Sequence, residues 1–453
     1  MMKIESSSFK DYDAFVFSDS GTIYRKLSEG YIPVYKKFVE SGLYSKLLQE
    51  KLIIEHEEIS EDTIKPKKVF VSYPWEWCFS QLKDAALATL KIQNIALDYG
   101  MSLKDANCYN IQFVENNPLL IDTSSFEIYT ENEPWVAYKQ FCENFLSPLC
   151  LMAYKDLNLN SLLLGNINGI SLELTSKLLP FYTKLNPNLF MHIHLHGKMQ
   201  KKYSQKDCKN KIVQTIKMSK FQQKGLLQNL ISTIEKINLK KYETEWDNYY
   251  SFTNYNENSF NEKKEIISIY AERINPAKVC DFGSNNGYFS RIFSEKGSNV
   301  FSFDIDKLAV ESNYLNAKKN GEKNIFPLVF DMVNPSPNLG WANEERKTLL
   351  QRLENIDVTV ALALIHHLRF TYNIPFYKMA EYFSKVSKYL IIEFVGKKDS
   401  KVQTMLAGRK DIFVDYDEEH FENVFSEFYN ILDKRKIISS ERTIYLMELK
   451  HER

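Results

Sequence analysis

Short apolar runs alternate with amphipathic segments in the second half of the chain. The apolar runs read, in order, KVCDF, NVFSFDID, NIFPLVFD, IDVTVALALI and YLIIEFV. Helical spacing of apolar residues marks YFSRIFSEKG, KLAVESNYLNAKKNG, FYKMAEYFSKV and EEHFENVFSEFYN. Strands that are apolar on both faces and alternate with helices predict a parallel sheet covered on both sides. The final pair, KRKIIS and RTIYLMELK, predicts an antiparallel finish to a doubly wound α/β domain.

One further helix is predicted ahead of the first of these strands. The segment SFNEKKEIISIYAERI carries Ser259 and Glu262 at capping-box spacing. We therefore expect this helix to start at Ser259.

The first half of the chain has a less regular pattern, which predicts an α+β domain. FVFSDSGTIYRKL is typical of a hairpin around Asp19–Gly21, and IQFVENNPLLID is typical of one turning at Asn116–Asn117. VYKKFVESGLYSKLLQEKL and CFSQLKDAALATLKIQNIALDYG are helix-like, and VFVSY predicts a short strand.

The boundary between the halves is placed by a change in charge and composition. From Gly197 to Lys224 there are nine lysines against one acid, Asp207, followed by the helix-like LLQNLISTIEKINLKK and an Asn-rich aromatic stretch. A chain of 453 residues suggests two or three folded units. We predict two domains, over residues 1–240 and 250–453.

Composition narrows the class of protein. Charged residues make up 26% and hydrophobic residues 44%, which indicates a globular chain. Lys plus Arg equals Asp plus Glu at 58 each, so no general attraction to nucleic acid or to an anionic membrane is expected. Without a signal peptide or an apolar run of ~18–20 residues, we expect a cytoplasmic protein. The six scattered cysteines indicate neither structural zinc nor disulfides, and we expect reduced, mostly buried thiols.

The segment from Asp281 to Gly287, DFGSNNG, lies between a predicted strand and a predicted helix. Glycine permits a tight turn and a close ligand approach there, while the N–H groups of the helix start face that ligand. The spacing is GxxxG, not the GxGxxG of a pyrophosphate site. The competing interpretation is structural, with Gly283 and Gly287 only ending a strand.

Acidic residues follow the next two predicted strands. Asp304 lies where a carboxylate can accept both hydroxyls of a ribose, with Asp306 as the alternative. Asp331 lies where an adenine amino group could be bound, with Phe330 and Met332 as stacking neighbours. Together they predict a nucleoside pocket along the carboxyl edge of the sheet.

The segments DFGSNNGYF, FSFDID, FDMVNPSP and VALALIHHL resemble the class I S-adenosylmethionine-dependent methyltransferases over about residues 250–453. The resemblance implies a Rossmann-like, seven-stranded domain with S-adenosylmethionine as its cofactor. Asp281 and the turn would hold the methionine part, Asp304 the ribose and Asp331 the adenine. The implied cofactor residues are Asp281, Gly283, Ser284, Asn285, Gly287, Asp304, Ile305, Asp331 and Met332. NPSPNLGWANEERKTLL, SYPWEW and SLKDANCYNIQF extend the similarity, over most of the chain, to bacterial nodulation or saccharide-modifying methyltransferases.

A histidine pair supplies the candidate base for methyl transfer. A sugar hydroxyl is protonated at neutral pH, so a base must take its proton as the new bond forms, whereas an amine needs only positioning and deprotonation. His366 and His367 follow the fourth strand, and imidazole titrates in the right range. We favour His366 for its nearness to the strand end. Glu393 could orient the imidazole or bind substrate, or could be a solvated acid at a strand end.

The motif from His192 to His196, HIHLH, has three closely spaced histidines, which are candidate metal ligands. On a strand all three imidazoles would share one face, but no carboxylate or cysteine is adjacent and sulfonium methyl transfer needs no metal. We predict no metal site here, and a structural or substrate-contact role for the histidines. The lysine-rich run that follows is interpreted as a solvated face, and secondarily as a seat for an anionic substrate.

In the N-terminal half, Asp105, Asn110 and Asp122 have the spacing of the catalytic loop and metal-binding acid of protein-kinase-like folds. They form a candidate nucleotide and Mg²⁺ site. The departures are Leu103-Lys104 in place of His-Arg, Asp122-Thr-Ser in place of Asp-Phe-Gly, and the lack of an assignable strand lysine. A degenerate kinase-like module fits these departures better than an active one, and three polar residues fixing loops is the alternative.

The sequence as a whole predicts a methyltransferase that uses S-adenosylmethionine and O-methylates a saccharide or a related small acceptor. The alternatives are an ATP-dependent phosphotransferase in the N-terminal half and a non-catalytic scaffold that binds S-adenosylmethionine. A nucleic-acid substrate is disfavoured by the balanced charge. The oligomeric state is left open.

Overall fold

A computed structural model describes residues 3–198, 217–239, 257–408 and 410–450. The chain divides into two compact units. The first comprises Met1–Tyr242 with Asn338–Lys347, and the second comprises Glu243–Pro337 with Thr348–Arg453. In the described part of the chain, no helix combines the length and the apolar character needed to cross a bilayer.

The second unit is built on one seven-stranded sheet. Its strands in chain order are β1 (Lys278–Phe282), β2 (Asn299–Asp304), β3 (Ile325–Val329), β4 (Ile356–Ala361), β5 (Ser387–Val395), β6 (Tyr429–Lys436) and β7 (Arg442–Leu449). Their order across the sheet is β3-β2-β1-β4-β5-β7-β6. The first five are mutually parallel and β7 runs antiparallel to both of its neighbours. The predicted Rossmann-like α/β sheet with an antiparallel finish is confirmed.

Helices cover this sheet because each presents an apolar stripe to strands that are buried on both faces. One part of the core packs Ile267 and Tyr270 of the leading helix against Val279 of β1, Val358 of β4 and Ile391 of β5. The α-helices of the unit are Glu257–Ile274, Tyr288–Ser294, Lys307–Asn320, Leu349–Arg352, Ile365–Tyr372, Phe376–Phe383, Ser400–Leu406 and Glu418–Phe425.

Two boundaries in this unit differ from the prediction. The leading helix begins at Glu257 rather than at Ser259, and Ser259 and Glu262 do not form a capping box. Instead Ser259 Oγ donates to the carbonyl of Ile438, and the amide of Ile438 donates to Glu262 Oε2. The strand predicted over IDVTVALALI ends at Ala361, because Ala363 turns with a φ of 50° and its N–H donates to Glu393.

In its described residues, the first unit combines three small antiparallel sheets with helices. This mixture of elements agrees with the α+β prediction for this half. The largest sheet orders Lys3–Ile4, Ala14–Asp19, Thr22–Leu27, Thr63–Pro66 and His56–Ser60. Met101–Leu103 pairs with Phe126–Ile128, and Ile111–Val114 pairs with Asn117–Leu120.

Helices make up much of the rest of the first unit. The α-helices are Ile32–Glu40, Leu43–Gln49, Phe79–Asp98, Tyr138–Phe141, Ser147–Tyr154, Leu162–Gly165, Leu172–Leu178, Pro187–Leu189 and Lys220–Lys236, with π-helical stretches at Cys142–Leu146 and Phe190–Leu195. Short 3₁₀ turns occur at Ser6–Ser8, Pro74–Glu76, Cys108–Asn110, Thr123–Ser125, Leu157–Ser161, Phe181–Leu185 and Trp341–Asn343.

Three predictions for the first unit need correction. The single helix expected over VYKKFVESGLYSKLLQEKL is two helices, because Gly42 between them has a φ of 84°. VFVSY is not a strand, since the N–H of Ser72 donates to the side chain of Gln112 instead of to a neighbouring strand. His192 and His194 lie in a π-helical stretch, not on a strand.

Two other expectations concern residues that lie wholly or partly outside the described ranges. Most of the lysine-rich run lies outside the described residues, as does most of the Asn-rich stretch. The five described cysteines, Cys78, Cys108, Cys142, Cys150 and Cys280, are buried and form no disulfide with one another. Cys208 lies outside the described ranges.

Candidate active site

A cavity of about 300 Å³ lies in the second unit at the carboxyl ends of the parallel strands. This edge is where open α/β sheets bind ligands. Eight of the nine residues predicted to hold the cofactor line it: Asp281, Gly283, Ser284, Asn285, Asp304, Ile305, Asp331 and Met332. The ninth, Gly287, does not.

The turn after β1 is fastened to the end of β2. The N–H groups of Gly283 and Ser284 both donate to the carbonyl of Phe303, at 2.9 and 3.0 Å. Gly283 has a φ of 76°, a conformation that favours glycine, and Asn285 has a φ of 52°. The backbone of this turn therefore forms one wall of the cavity in a fixed position.

Asp304 at the end of β2 is held by two backbone amides. Its Oδ2 accepts from the N–H of Asn285 at 2.7 Å, and its Oδ1 accepts from the N–H of Asp306 at 2.8 Å. Burial raises its pKa to about 6, against the opposing effect of these hydrogen bonds. Each carboxylate oxygen has a second lone pair, so the side chain retains the capacity to accept from a ligand hydroxyl.

Asp281 is the deepest acid in the cavity. Its side chain is almost fully buried, and it accepts a hydrogen bond of 2.6 Å from Ser290 Oγ. Its pKa is raised to about 7, mainly by burial and also by the negative charge of Asp304, while Ser290 and Lys263 oppose the rise. A cationic ligand next to Asp281 would favour the ionised carboxylate.

The segment after β3 completes the far side of the cavity. Asp331 Oδ1 accepts from the N–H groups of Val333 and Asn334, at 2.9 and 3.1 Å, which fixes the turn. Met332 and the half-exposed Ile305 present apolar surface to the same cavity. Two apolar side chains and an acid at one end suit the flat face and the amino edge of a purine.

Gly287 serves packing instead of ligand contact. A Cβ at this position would lie 2.5 Å from the side-chain amide of Asn313. Asn313 is buried and donates to Ser302 Oγ at 2.9 Å. Glycine is thus needed at the second position of the motif because Asn313, on the helix Lys307–Asn320, occupies the space that a Cβ would take.

The two histidines of the predicted pair differ in position. Both lie on the helix Ile365–Tyr372, with ring centroids 4.3 Å apart, but only His367 lines the cavity. His366 is buried, and its Nδ1 has no hydrogen-bond partner among the described residues. Burial lowers the pKa of both imidazoles. His367 is therefore the neutral imidazole that faces the cavity.

Lys263, which the sequence analysis did not select, also lines the cavity. Its Nζ lies 2.6 Å from Glu393 Oε2 and 4.8 Å from the centroid of the Phe289 ring. Glu393 is fully buried and also pairs with Arg442, so it is not a solvated acid at a strand end. The sequence does carry a signal for Lys263, because this lysine lies three residues after Phe260 and three before Ile266, within the apolar stripe of its helix.

In the first unit, the three kinase-like residues approach one another around Ser125. Asn110 Nδ2 donates to Ser125 Oγ, and Ser125 Oγ donates to Asp122 Oδ2. The N–H of Asp105 donates to the carbonyl of Ser125 at 3.4 Å. The predicted spacing thus corresponds to a real cluster.

The chemistry of this cluster does not fit a divalent cation. The carboxylate of Asp122 pairs with the guanidinium of Arg25 and accepts from Ser124, and Asp105 accepts from Gln140 Nε2. Arg25 belongs to the strand Thr22–Leu27 and was not selected from the sequence. Within the described ranges, no group of three or more His, Cys, Asp or Glu is arranged to hold a metal ion.

The histidines of the HIHLH motif are engaged with neutral partners. His196 stacks on the ring of Tyr138 at 5.2 Å. The ring nitrogens of the other two hydrogen-bond with Tyr138 and Asn229 for His192, and with Ser176 and Thr183 for His194. These contacts account for the motif by packing.

The sheet order defines the second unit as a Rossmann-like α/β domain, with an acid-walled cavity at the carboxyl edge of its sheet. No family model matches the chain. The chain is 35% identical over 385 residues to nodulation protein NoeA of Rhizobium meliloti (strain 1021), covering 83% of this chain and 80% of that protein. The chain therefore belongs to the family of nodulation protein NoeA.

Solved structures resemble the chain more distantly. The bifunctional kinase-methyltransferase WbdD is 17% identical with a TM-score of 0.29, covering 43% of this chain and 39% of that one. Magnesium protoporphyrin IX methyltransferase (ChlM) from Synechocystis PCC 6803, with bound SAH, is 14% identical with a TM-score of 0.33, covering 45% of this chain and 93% of that one. Because both scores are low, the assignments below rest on the geometry of this chain.

Proposed function

We propose that the second unit is a methyltransferase that uses S-adenosylmethionine and transfers its methyl group to a hydroxyl of a saccharide or related small acceptor. The observation that supports the donor is the convergence of Gly283, Asp281, Asp304 and Asp331 on one cavity at the carboxyl edge of the sheet. An acidic wall attracts a ligand that carries a sulfonium and an ammonium. The kinase-like activity of the first unit is not part of the proposal, because Asp122 is paired with Arg25.

The residues divide the binding of this donor among themselves. Asp304 would accept from the ribose hydroxyls, Asp331 from the adenine amino group, and Ile305 and Met332 would pack on the purine. Asp281 and the backbone of the Gly283 turn would face the methionine part. When bound, S-adenosylmethionine supplies an electrophilic methyl group on a positively charged sulfur.

His367 is the residue proposed to activate the acceptor. Its imidazole is held neutral by burial, because the pKa is lowered, with Arg442 and Lys401 adding to the effect. A neutral imidazole at the cavity wall can take the proton of a hydroxyl as the oxygen attacks. The aromatic side chains of Phe260 and Phe289 line the same cavity.

The test is methyl transfer from radiolabelled S-adenosylmethionine to a panel of saccharides, amines and RNA. We expect transfer to a saccharide, with His367→Ala lowering kcat at least ~100-fold while the Kd for S-adenosylhomocysteine changes little. His366→Ala is the matched control, since His366 does not line the cavity. Donor binding without transfer to any acceptor would favour the non-catalytic scaffold. Transfer only to an amine would reject the hydroxyl acceptor, and transfer only to RNA would reject the small saccharide acceptor.

A further inference from the structure

The charge on the cavity wall is unevenly distributed. Four carboxylates line it, those of Asp281, Asp304, Asp306 and Asp331. Among the described residues that line the cavity, Lys263 is the only lysine or arginine. A negatively charged group of a ligand therefore has one favourable place on this wall.

Lys263 is fixed in that place by a buried ion cluster. Its ammonium shares Glu393 with Arg442, and Arg442 Nε also pairs with Asp399 at 2.9 Å. Glu393 Oε2 accepts a second hydrogen bond from the N–H of Ala363, at 2.8 Å. These ion pairs hold the ammonium of Lys263 at a fixed position on the cavity wall.

Lys263 lies near the acid that faces the amino-acid end of the donor. Both side chains line the cavity; burial lowers the pKa of Lys263, and the negative charge of Asp281 opposes that effect. The amino-acid part of S-adenosylmethionine carries an ammonium and a carboxylate on one carbon. The four acids of the wall attract the ammonium but repel the carboxylate, which requires a cation close by.

We propose that Lys263 binds the α-carboxylate of the donor while Asp281 faces its α-ammonium. This inference rests on the proposed function, since it names a contact to the same donor. Lys263 thereby selects ligands with an intact amino-acid carboxylate over those that lack it. Glu393 is a positioning residue that acts through Lys263.

The experiment compares two ligands on the full chain by calorimetric titration. One is S-adenosylhomocysteine, and the other is its decarboxylated analogue, which keeps the adenosine, the sulfur and the amine. We expect Lys263→Met to weaken the binding of S-adenosylhomocysteine by about 10- to 100-fold, because a charge-assisted hydrogen bond is lost. The Kd of the analogue should change by no more than about threefold. Lys264→Met is the matched control, because Lys264 is the exposed neighbour on the same helix.

A second pair of variants covers the case in which Lys263→Met does not fold. That substitution leaves Glu393 with one cation fewer, whereas Lys263→Met combined with Glu393→Gln removes one charge of each sign. The double variant is compared with Glu393→Gln alone. Relative to that single variant, we expect the same loss of affinity for S-adenosylhomocysteine, by about 10- to 100-fold, and no such loss for the decarboxylated analogue.

The outcomes separate this inference from the proposed function. If the wild-type chain binds neither ligand, the proposed donor is wrong and Lys263 has no such role. If the wild-type chain binds both and the lysine substitutions weaken both equally, or neither, Lys263 does not bind the carboxylate. An unchanged Kd for S-adenosylhomocysteine with a raised KM for the acceptor would assign Lys263 to an anionic group of the acceptor and would also overturn the inference.

Discussion

The backbone N–H of Asn285 donates to Oδ2 of Asp304 across 2.7 Å, which joins the turn after β1 to the end of β2. The turn that would face the methionine part and the acid that would hold the ribose are therefore one hydrogen-bonded unit. A change at either residue alters the position of the other. This coupling sets the first prediction.

Asp304→Asn should weaken the binding of S-adenosylhomocysteine by about 10- to 100-fold, as measured by calorimetric titration. A hydrogen bond to a charged group contributes roughly 1.5–3 kcal/mol, and the amide keeps the size of the side chain but not the charge. Asp417→Ala is the contrast, because Asp417 does not line the cavity and caps the helix Glu418–Phe425 by accepting from the N–H of His420 at 2.8 Å. Loss of that cap should cost about 1 kcal/mol of stability. Equal effects of both substitutions on affinity would reject the ribose role of Asp304.

Donor affinity should depend on pH because two cavity acids have raised pKa values. Burial raises the pKa of Asp281 to about 7 and that of Asp304 to about 6. A cationic donor binds the ionised carboxylates better, so affinity should rise as pH increases from 5.5 to 7.5 and level off above. Binding at pH 6.5 should release protons, measurable as heats that vary with the ionisation enthalpy of the buffer. Buffer-independent heats would contradict this assignment.

The same two groups act on stability in the opposite sense. A carboxyl whose pKa is higher in the folded state than in the unfolded chain stabilises the fold fully below the unfolded value, and this contribution is lost as pH rises through the folded value. For Asp281 and Asp304 the window runs from about pH 4 to about pH 7. Donor binding and fold stability therefore respond to pH with opposite signs.

Gly287→Ala should destabilise the second unit more than another glycine substitution at a similar backbone angle. Gly287 has a φ of 78° and a Cβ there would collide with Asn313, whereas Gly297 has a φ of 96° with no atom within 4 Å of the added carbon. Gly297→Ala should cost about 1–2 kcal/mol from backbone strain alone. Gly287→Ala should cost ~1–3 kcal/mol more, measured by urea unfolding. Combining it with Asn313→Ala should recover part of the difference, and equal costs for the two glycines would show that no clash exists.

The strands and the cavity at their carboxyl ends could be predicted from sequence because their signals are local. Buried parallel strands are continuous apolar runs, and the carboxyl ends of such strands share one edge. That was sufficient to bring Asp281, Asp304 and Asp331 into one cavity.

Other features depend on partners that no local pattern reveals. Lys263 pairs with Glu393, which lies 130 residues away. Which of His366 and His367 faces the cavity depends on helix rotation, since consecutive residues on a helix point about 100° apart, and a position after a strand does not fix that rotation. The role of Gly287 depends on Asn313, and that of Asp122 depends on Arg25.

The last prediction concerns the cluster of the first unit. Asp122→Asn should lower stability by roughly 3 kcal/mol, because it leaves the largely buried guanidinium of Arg25 without its charged partner. The matched control is Asp62→Asn, which removes an exposed partner of Lys26 and should cost well under 1 kcal/mol. Titration of the wild-type chain with Mg²⁺ and ATP should give no binding heat, since Asp122 is committed to Arg25 and Ser124. ATP-dependent labelling that persists in Asp62→Asn and disappears in Asp122→Ala would instead establish a phosphotransferase site there, with Arg25 yielding its place to the metal.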